Sequence, residues 1–355
     1  MRGKESNMQL RNFIVLIPAY NPPEEVIYLV STLVARDIPV VVVNDGSDIT
    51  YAERFTFLAE FPKTSILSHA VNIGKGAALK YGLNYIYDTF PDAVGVVTAD
   101  ADGQHLPDDI ERIGQELAAH PDELIIGARK FSHQNIPLRS KFGNIITRYL
   151  FLLIIGVSMP DTQSGLRGVP RLLIQRLLRI KAIGYEFELD TLITARNSRV
   201  HIANIPITTV YDRGNTTSHF NPLIDSMKIY FVLFRLLLTV LLATVIDFAI
   251  FAFLVKIGNS MIVSQICARV VALIIYYFAM NSMLYASALL NKKLLYKLTL
   301  LLCMSGFIAA VIIAILAQRF NVDVLVGKIW AETILLFLNY IMIRELACII
   351  HNDFE

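Results

Sequence analysis

The sequence predicts an α/β half, a mostly parallel sheet with helices on both faces, followed by an all-α membrane half. Short β-branched apolar runs alternate with amphipathic helical stretches through residues 1–225. Four apolar stretches, each long enough to cross a bilayer, fill residues 226–355. The charged fraction is 17% and the mean hydropathy +0.53, values at odds with a wholly water-exposed surface. A length of 355 residues suffices for these two domains.

Strands are expected near Phe13–Ile17, Val40–Val43, Ser65–Leu67, Val94–Thr98 and Leu124–Ile126. Helices are expected near Glu24–Ala35, Gly76–Asp88 and Pro107–Ala119. Pro107 suits a first helical turn, and Asp108, Asp109 and Glu111 are favourably placed by the helix dipole. The apolar run 145–156 is shorter than the roughly 20 residues of a spanning helix. With Lys141 and Arg148 near its start, it suits an interfacial helix over about 142–157, a buried core helix being the alternative.

Spans are expected at about 230–255, 260–284, 295–318 and 325–346. Lys228, Lys292, Lys293, Lys297 and Arg344 belong together on the cytoplasmic side, which requires an even number of crossings. Lys256 and Arg319, on the opposite side, weaken this bias without reversing it. Met1 to Arg11 has no apolar stretch of the signal-peptide kind. The expectation is a multi-pass protein of the cell membrane with its α/β half and both termini in the cytosol. Arg235, Asp247, Arg269, Asn281, Glu332 and Asn339 lie in or near the spans. Such groups are costly at membrane depth and imply interhelical pairs, such as Asp247 with Arg269, or a lipid-handling role. A net charge of +2 gives no support to nucleic-acid binding. Cys267, Cys303 and Cys348 lack metal-ligand spacing and read as core or lipid-facing residues.

The chemistry concentrates in Asp100-Ala101-Asp102-Gly103-Gln104-His105, directly after a predicted strand. Two carboxylates and an amide offer hard oxygen ligands to Mg²⁺ or Mn²⁺, and such an ion can hold a diphosphate. A hydrated Asx-turn with Gly103 at positive φ explains the same six residues equally well. The surrounding segments break the tie: Phe13–Asn21, Val40–Ser47, His69–Gly76, Gly127–Arg129, Asp161–Arg167 and Gly184–Glu188. In this order they resemble the family 2 glycosyltransferases of the GT-A fold, and among these the polyprenyl-phosphate hexosyltransferases, relatives of dolichyl-phosphate mannose synthase. The apolar half is similar to the GtrA-like four-helix membrane domain.

The resemblance implies inverting, metal-dependent transfer of a hexose from a nucleotide-diphosphate sugar to undecaprenyl or dolichyl phosphate. The product would be a lipid-monophosphate-linked sugar for cell-envelope glycosylation. Pro18, Ala19 and Tyr20 would cradle the nucleoside. An acid that relatives carry two positions after the tyrosine is replaced by Pro22, with Glu24 nearby. Asn44 replaces the first of two paired acids and Asp45 matches the second. Lys75, Asp100, Ala101 and Asp102 complete the nucleotide-sugar side, with Asp102 and Gln104 as direct ligands of Mg²⁺ or Mn²⁺. Arg129 and Arg213 match family arginines near the phosphates, Arg139 joins them as a candidate clamp on the acceptor phosphate, and His219 stands where relatives tend to carry lysine. Gln163, Ser164 and Gly165 would line the sugar or acceptor side. Glu188 is a candidate general base, or an orienting group, since a phosphate monoester is largely ionised at pH 7. The catalytic set is then Asp102, Arg129, Glu188 and Arg213.

A UDP-hexose is the favoured donor, with GDP-mannose the other candidate, and a homo-oligomer is the remaining candidate assembly. Two other readings compete. A processive polysaccharide synthase would carry a Gln-x-x-Arg-Trp segment, and Trp330 is the only tryptophan. A lipid-linked sugar flippase or membrane scaffold would need only a non-catalytic transferase half.

Overall fold

The computed structural model describes residues 12–129, 164–208, 224–284 and 292–352. Seven strands form one sheet: β1 (Phe13–Ala19), β2 (Val40–Asp45), β3 (Thr64–His69), β4 (Gly95–Thr98), β5 (Leu124–Arg129), β6 (Arg167–Pro170) and β7 (Ile202–Ile207). Their spatial order is β3-β2-β1-β4-β6-β5-β7. The pairings β1–β2, β2–β3, β1–β4 and β5–β7 are parallel, whereas β6 runs antiparallel to both β4 and β5. All seven residues of β1 are buried, as a continuous apolar run at the centre of a sheet covered on both faces should be. The chain winds outward from β1 to β3, then resumes on the other side at β4. The carboxyl ends of β1 and β4 therefore flank a topological switch point, where open α/β sheets bind ligands.

The helices of this half are α1 (Glu25–Ala35), α2 (Ala52–Ala59), α3 (Lys75–Thr89), α4 (Pro107–Ala119), α5 (Arg171–Leu178) and α6 (Glu186–Asn197). Val26, Leu29, Val30 and Leu33 of α1 share one buried cluster with Ile110, Ile113 and Leu117 of α4 and with Val15, Ile17, Val40 and Val42 of the sheet. Helix α3 packs against β1 and β2 and against α5 and α6. Pro107 occupies the first turn of α4 after an extended Leu106, with Asp108 and Asp109 beside it. Gly114 lets α4 approach the Phe13 ring, where an added Cβ would stand 2.2 Å from the ring.

The five expected strands and three expected helices are present. Strands β6 and β7 and helices α2 and α5 were not anticipated. Arg-Gly-Val-Pro is too short and too poor in β-branched residues to read as a strand, and is one only because β4 and β5 leave a gap between them. Pro206 argues against a central strand, and β7 is the edge strand where proline is tolerated. The expected interfacial helix at 142–157 lies outside the described residues.

Residues 233–355 form a second compact unit. It comprises α7 (Ile224–Lys256) from residue 233 on, α8 (Met261–Leu284), α9 (Lys292–Phe320) and α10 (Val324–Asn352). All four contain segments long and apolar enough to cross a membrane: Leu237–Lys256, Met261–Ala279, Leu295–Phe320 and Val324–Ile343. Between the helices sits a charge cluster. Lys328 Nζ lies 2.5 Å from Asp247 Oδ2 and 2.8 Å from Glu332 Oε1, and donates to Gln265 Oε1 at 2.8 Å. Arg269 reaches Glu332 at 2.5 Å and Asp247 at 3.6 Å. The expected Asp247–Arg269 pair exists, but Lys328, completely buried, is the closer partner of Asp247. Gly306 of α9 makes room for the Arg269 side chain.

Candidate active site

Asp100 and Asp102 leave the end of β4 in a turn that closes on itself. The Asp100 N–H donates to His105 Nδ1 at 2.9 Å, and the Gln104 N–H donates to Asp102 Oδ1 at 3.0 Å. Gly103 adopts φ +79°, a left-handed conformation that glycine accepts without strain. The Asx-turn reading is correct as local geometry, and it presents both carboxylates at the switch point.

Lys75, the first residue of α3, holds this tip to α6. Its ammonium lies 2.6 Å from Asp100 Oδ1 and 2.7 Å from Glu188 Oε1. The approach depends on glycines. A Cβ on Gly76 would stand 2.6 Å from Phe187 Cβ and 2.8 Å from the Gly184 oxygen. Gly74, at φ +120°, packs as tightly on the Ile183 oxygen. Gly165 lies so close to Asp100 that a Cβ would meet Oδ2 at 2.5 Å, and its carbonyl accepts from Thr98 Oγ1 at 2.8 Å. Buried Arg167 donates through Nε to the Ser164 carbonyl at 2.9 Å and through Nη1 to the Glu188 carbonyl.

These charges set one another. Burial opposes ionisation of Asp100, but Lys75, with His105 and Arg167, overrides it and holds the carboxyl at about 2. Burial likewise opposes the Lys75 charge, and Asp100 and Glu188 override it, raising Lys75 above the usual lysine range. Asp102 shifts the other way, because burial and then the negative charge of Asp100 raise its carboxyl. Among the described residues no ion pair reaches Asp102 within 4 Å, so it is the carboxylate here that a cation would relieve. No group of three or more His, Cys, Asp or Glu side chains with metal-binding geometry occurs among the described residues. Asp102 and the Gln104 amide fit a hard cation that keeps its other positions for water and phosphate oxygens, as Mg²⁺ does.

The other predicted residues fall differently. Asp45 is buried, and its oxygens accept from the N–H groups of Ile73 at 3.1 Å and Gly74 at 2.8 Å and contact His69 Nδ1 at 2.7 Å. Asp45 thus anchors the loop that precedes Lys75. Asn44 Oδ1 accepts the Ser47 N–H at 2.9 Å, shaping the turn after β2. Pro18 and Ala19 end β1 beside Val43 and Asn44 of β2, and Tyr20 follows them. Glu24 is exposed and faces Arg54 at 3.7 Å, while the adjacent Glu25 packs against Gly103 of the tip. Ala101 lies within the tip. Ser164 is buried, and its Oγ has no hydrogen-bond partner among the described residues. Arg129 ends β5 at the same edge of the sheet, its backbone paired with Ile207. Arg139, Gln163, Arg213 and His219 lie outside the described residues. His69, His105 and Arg167 were not singled out from sequence, although Arg167 closes the Asp161–Arg167 motif. The Lys75–Glu188 contact left no local signal.

Residues 14–178 match the family model for glycosyl transferase family 2. The chain is 30% identical over 240 residues to a UDP-N-acetylglucosamine–dolichyl-phosphate N-acetylglucosaminyltransferase of Methanococcus voltae, covering 62% of this chain and 94% of that protein. It is 29% identical over 212 residues to the polyprenol monophosphomannose synthase of Mycolicibacterium smegmatis, covering 55% of this chain and 76% of that one. An undecaprenyl-phosphate mannosyltransferase of Micrococcus luteus is 30% identical over 215 residues, with 56% and 83% covered. The chain belongs to glycosyltransferase family 2. It is a glycosyltransferase carrying four membrane-capable helices.

Proposed function

We propose that this enzyme transfers a hexose from a nucleotide-diphosphate sugar to a polyprenyl phosphate with inversion at the anomeric carbon. The observation that carries the reading is the union, in one chain, of a family 2 site with four apolar helices. A water-soluble acceptor would need no such helices. The relatives described above are named for dolichyl, polyprenol or undecaprenyl phosphate acceptors, which supports the same acceptor class here. A UDP-sugar is the favoured donor, GDP-mannose the other candidate.

In the proposed reaction an oxygen of the lipid phosphate attacks C1, the C1–oxygen bond to the diphosphate breaks, and the nucleoside diphosphate leaves. A divalent cation held by Asp102 and Gln104 would supply counter-charge to the departing diphosphate. Arg129, Arg139 and Arg213 are proposed to bind the phosphates of donor and acceptor, with His219 beside them on the acceptor side. Gln163, Ser164 and Gly165 are proposed to face the sugar. The nucleophile is ionised before it binds, so no side chain has to take a proton. Glu188, already engaged by Lys75, is therefore proposed to position the site. The catalytic half and both termini are proposed to face the cytosol.

The test is incubation of the full chain in detergent with undecaprenyl phosphate, Mn²⁺ or Mg²⁺ and a panel of nucleotide sugars. The expected product is a lipid that retains a single phosphate and releases its sugar in mild acid. An acid-stable glycoside or a growing polymer would overturn the assignment.

A further inference from the structure

Lys75 sits where a helix least favours a cation. It is the first residue of α3, at the positive end of the helix dipole. Two carboxylates from distant parts of the chain, Asp100 and Glu188, converge on it at 2.6 and 2.7 Å. Close packing fixes the geometry, because Gly74 and Gly76 press the first turn of α3 onto residues 183–187 and Gly165 presses on Asp100. Of the two tip carboxylates, Asp100 is neutralised from within the protein, and among the described residues Asp102 has no cation within ion-pair distance.

We propose that Lys75 is an internal counter-cation on Asp100 that weakens divalent-metal binding until a nucleotide diphosphate arrives. An ammonium on Asp100 repels a dication at Asp102, two residues along the same turn, and cancels the attraction Asp100 would add. An incoming diphosphate offers Lys75 a new anion and releases Asp100 to strengthen the metal site. Metal and nucleotide sugar then bind cooperatively, and each raises the affinity for the other by the same factor. The inference rests on the placement of the metal at Asp102 and Gln104, which the same titration checks separately.

The experiment is titration of the full chain in detergent with Mn²⁺ alone, free Mn²⁺ being read by its electron paramagnetic resonance signal. It is repeated with whichever of UDP and GDP the wild type binds. The informative variant is Lys75→Met with Glu188→Gln, which removes one charge of each sign and so leaves the net charge unchanged. With Asp100 bare, its nucleotide-free Mn²⁺ affinity is expected to rise roughly tenfold, the scale of one charge-assisted contact. Its nucleotide-induced tightening should shrink correspondingly, while Lys75→Arg, which keeps the cation, should behave as wild type. Circular dichroism checks that both variants remain folded. Wild-type Mn²⁺ affinity in the double variant, or an Arg variant as tight as the double, overturns the inference. Unaltered Mn²⁺ binding in Asp102→Asn overturns the metal placement itself. Loss of binding in Asp102→Asn, with no gain in the double variant, overturns only the role of Lys75.

Discussion

Asp102 and Glu188 carry the same charge but stand in opposite situations, and their substitutions should separate. Asp102 is raised by burial and by Asp100, has no cation within ion-pair distance among the described residues, and is the proposed metal ligand. Asp102→Asn keeps the Oδ1 acceptor for the Gln104 N–H, so the turn and fold should survive while turnover falls by at least about 100-fold, the scale of a lost electrostatic stabiliser. Near-wild-type turnover at saturating Mg²⁺ would show the ligand to be misplaced. Glu188 is held by Lys75, and in the proposed reaction the acceptor is ionised before it binds. Glu188→Gln should therefore cost clearly less than the roughly 10²–10⁴-fold of a missing general base. A pH–rate profile between pH 6 and 8 that the substitution leaves unchanged, falling only toward pH 6 where the acceptor phosphate itself takes up a proton, would agree with this, whereas loss of an acidic limb on substitution would identify Glu188 as a base after all. Asp100 and Lys75 keep their charges throughout that window, because pairing lowers one and raises the other.

At the scale of elements, the site depends on how closely α3 approaches the 183–187 segment. Gly76→Ala would bring a methyl within 2.6 Å of Phe187 Cβ and force α3 and α6 apart. Activity should fall more steeply than thermal stability, because the Lys75–Glu188 contact lies at that seam. Gly114→Val offers the contrast. Its side chain would collide with the Phe13 ring inside the core, far from the carboxylates, and should cost about 1–3 kcal/mol of stability. A lowered Tm with turnover intact at low temperature would separate core packing from site assembly. The antiparallel β6 matters for the same reason. It ends a connection that returns Ser164, Gly165 and Arg167 beside the end of β4.

At the scale of the whole chain, the buried charges of the four-helix half and the membrane topology are open to direct measurement. Asp247, Arg269, Lys328 and Glu332 are two acids and two bases, balanced when all are ionised. Lys328→Met leaves a carboxylate in excess in an apolar bundle and should cost about 3–5 kcal/mol. Adding Asp247→Asn restores the balance with the Arg269–Glu332 pair intact, and should recover much of the loss in thermal unfolding of the detergent-solubilised protein. A double variant no more stable than Lys328→Met would show that the cluster is not held by charge balance. Four crossings predict that reporters fused at Glu355 and inserted at Gly258–Ser260 report opposite compartments. Equal signals would eliminate a four-span topology.

The sequence by itself determined the α/β class, the five principal strands, the four apolar helices and the turn at the Asp100–Gln104 tip. Each depends on near neighbours along the chain: β-branched runs, a proline at a helix start, about 20 apolar residues in a row, carboxylates two residues apart. The tertiary structure alone decided that β6 inserts antiparallel between β4 and β5, that Asp45 anchors the loop before Lys75, and that Lys328 rather than Arg269 lies closest to Asp247. It alone joined Lys75 to Glu188, 113 positions away, through a seam that only glycines permit. Such contacts leave no periodic trace in a sequence, because they are fixed by the packing of elements distant along the chain, and a lysine or aspartate reads the same whether it meets water or its partner.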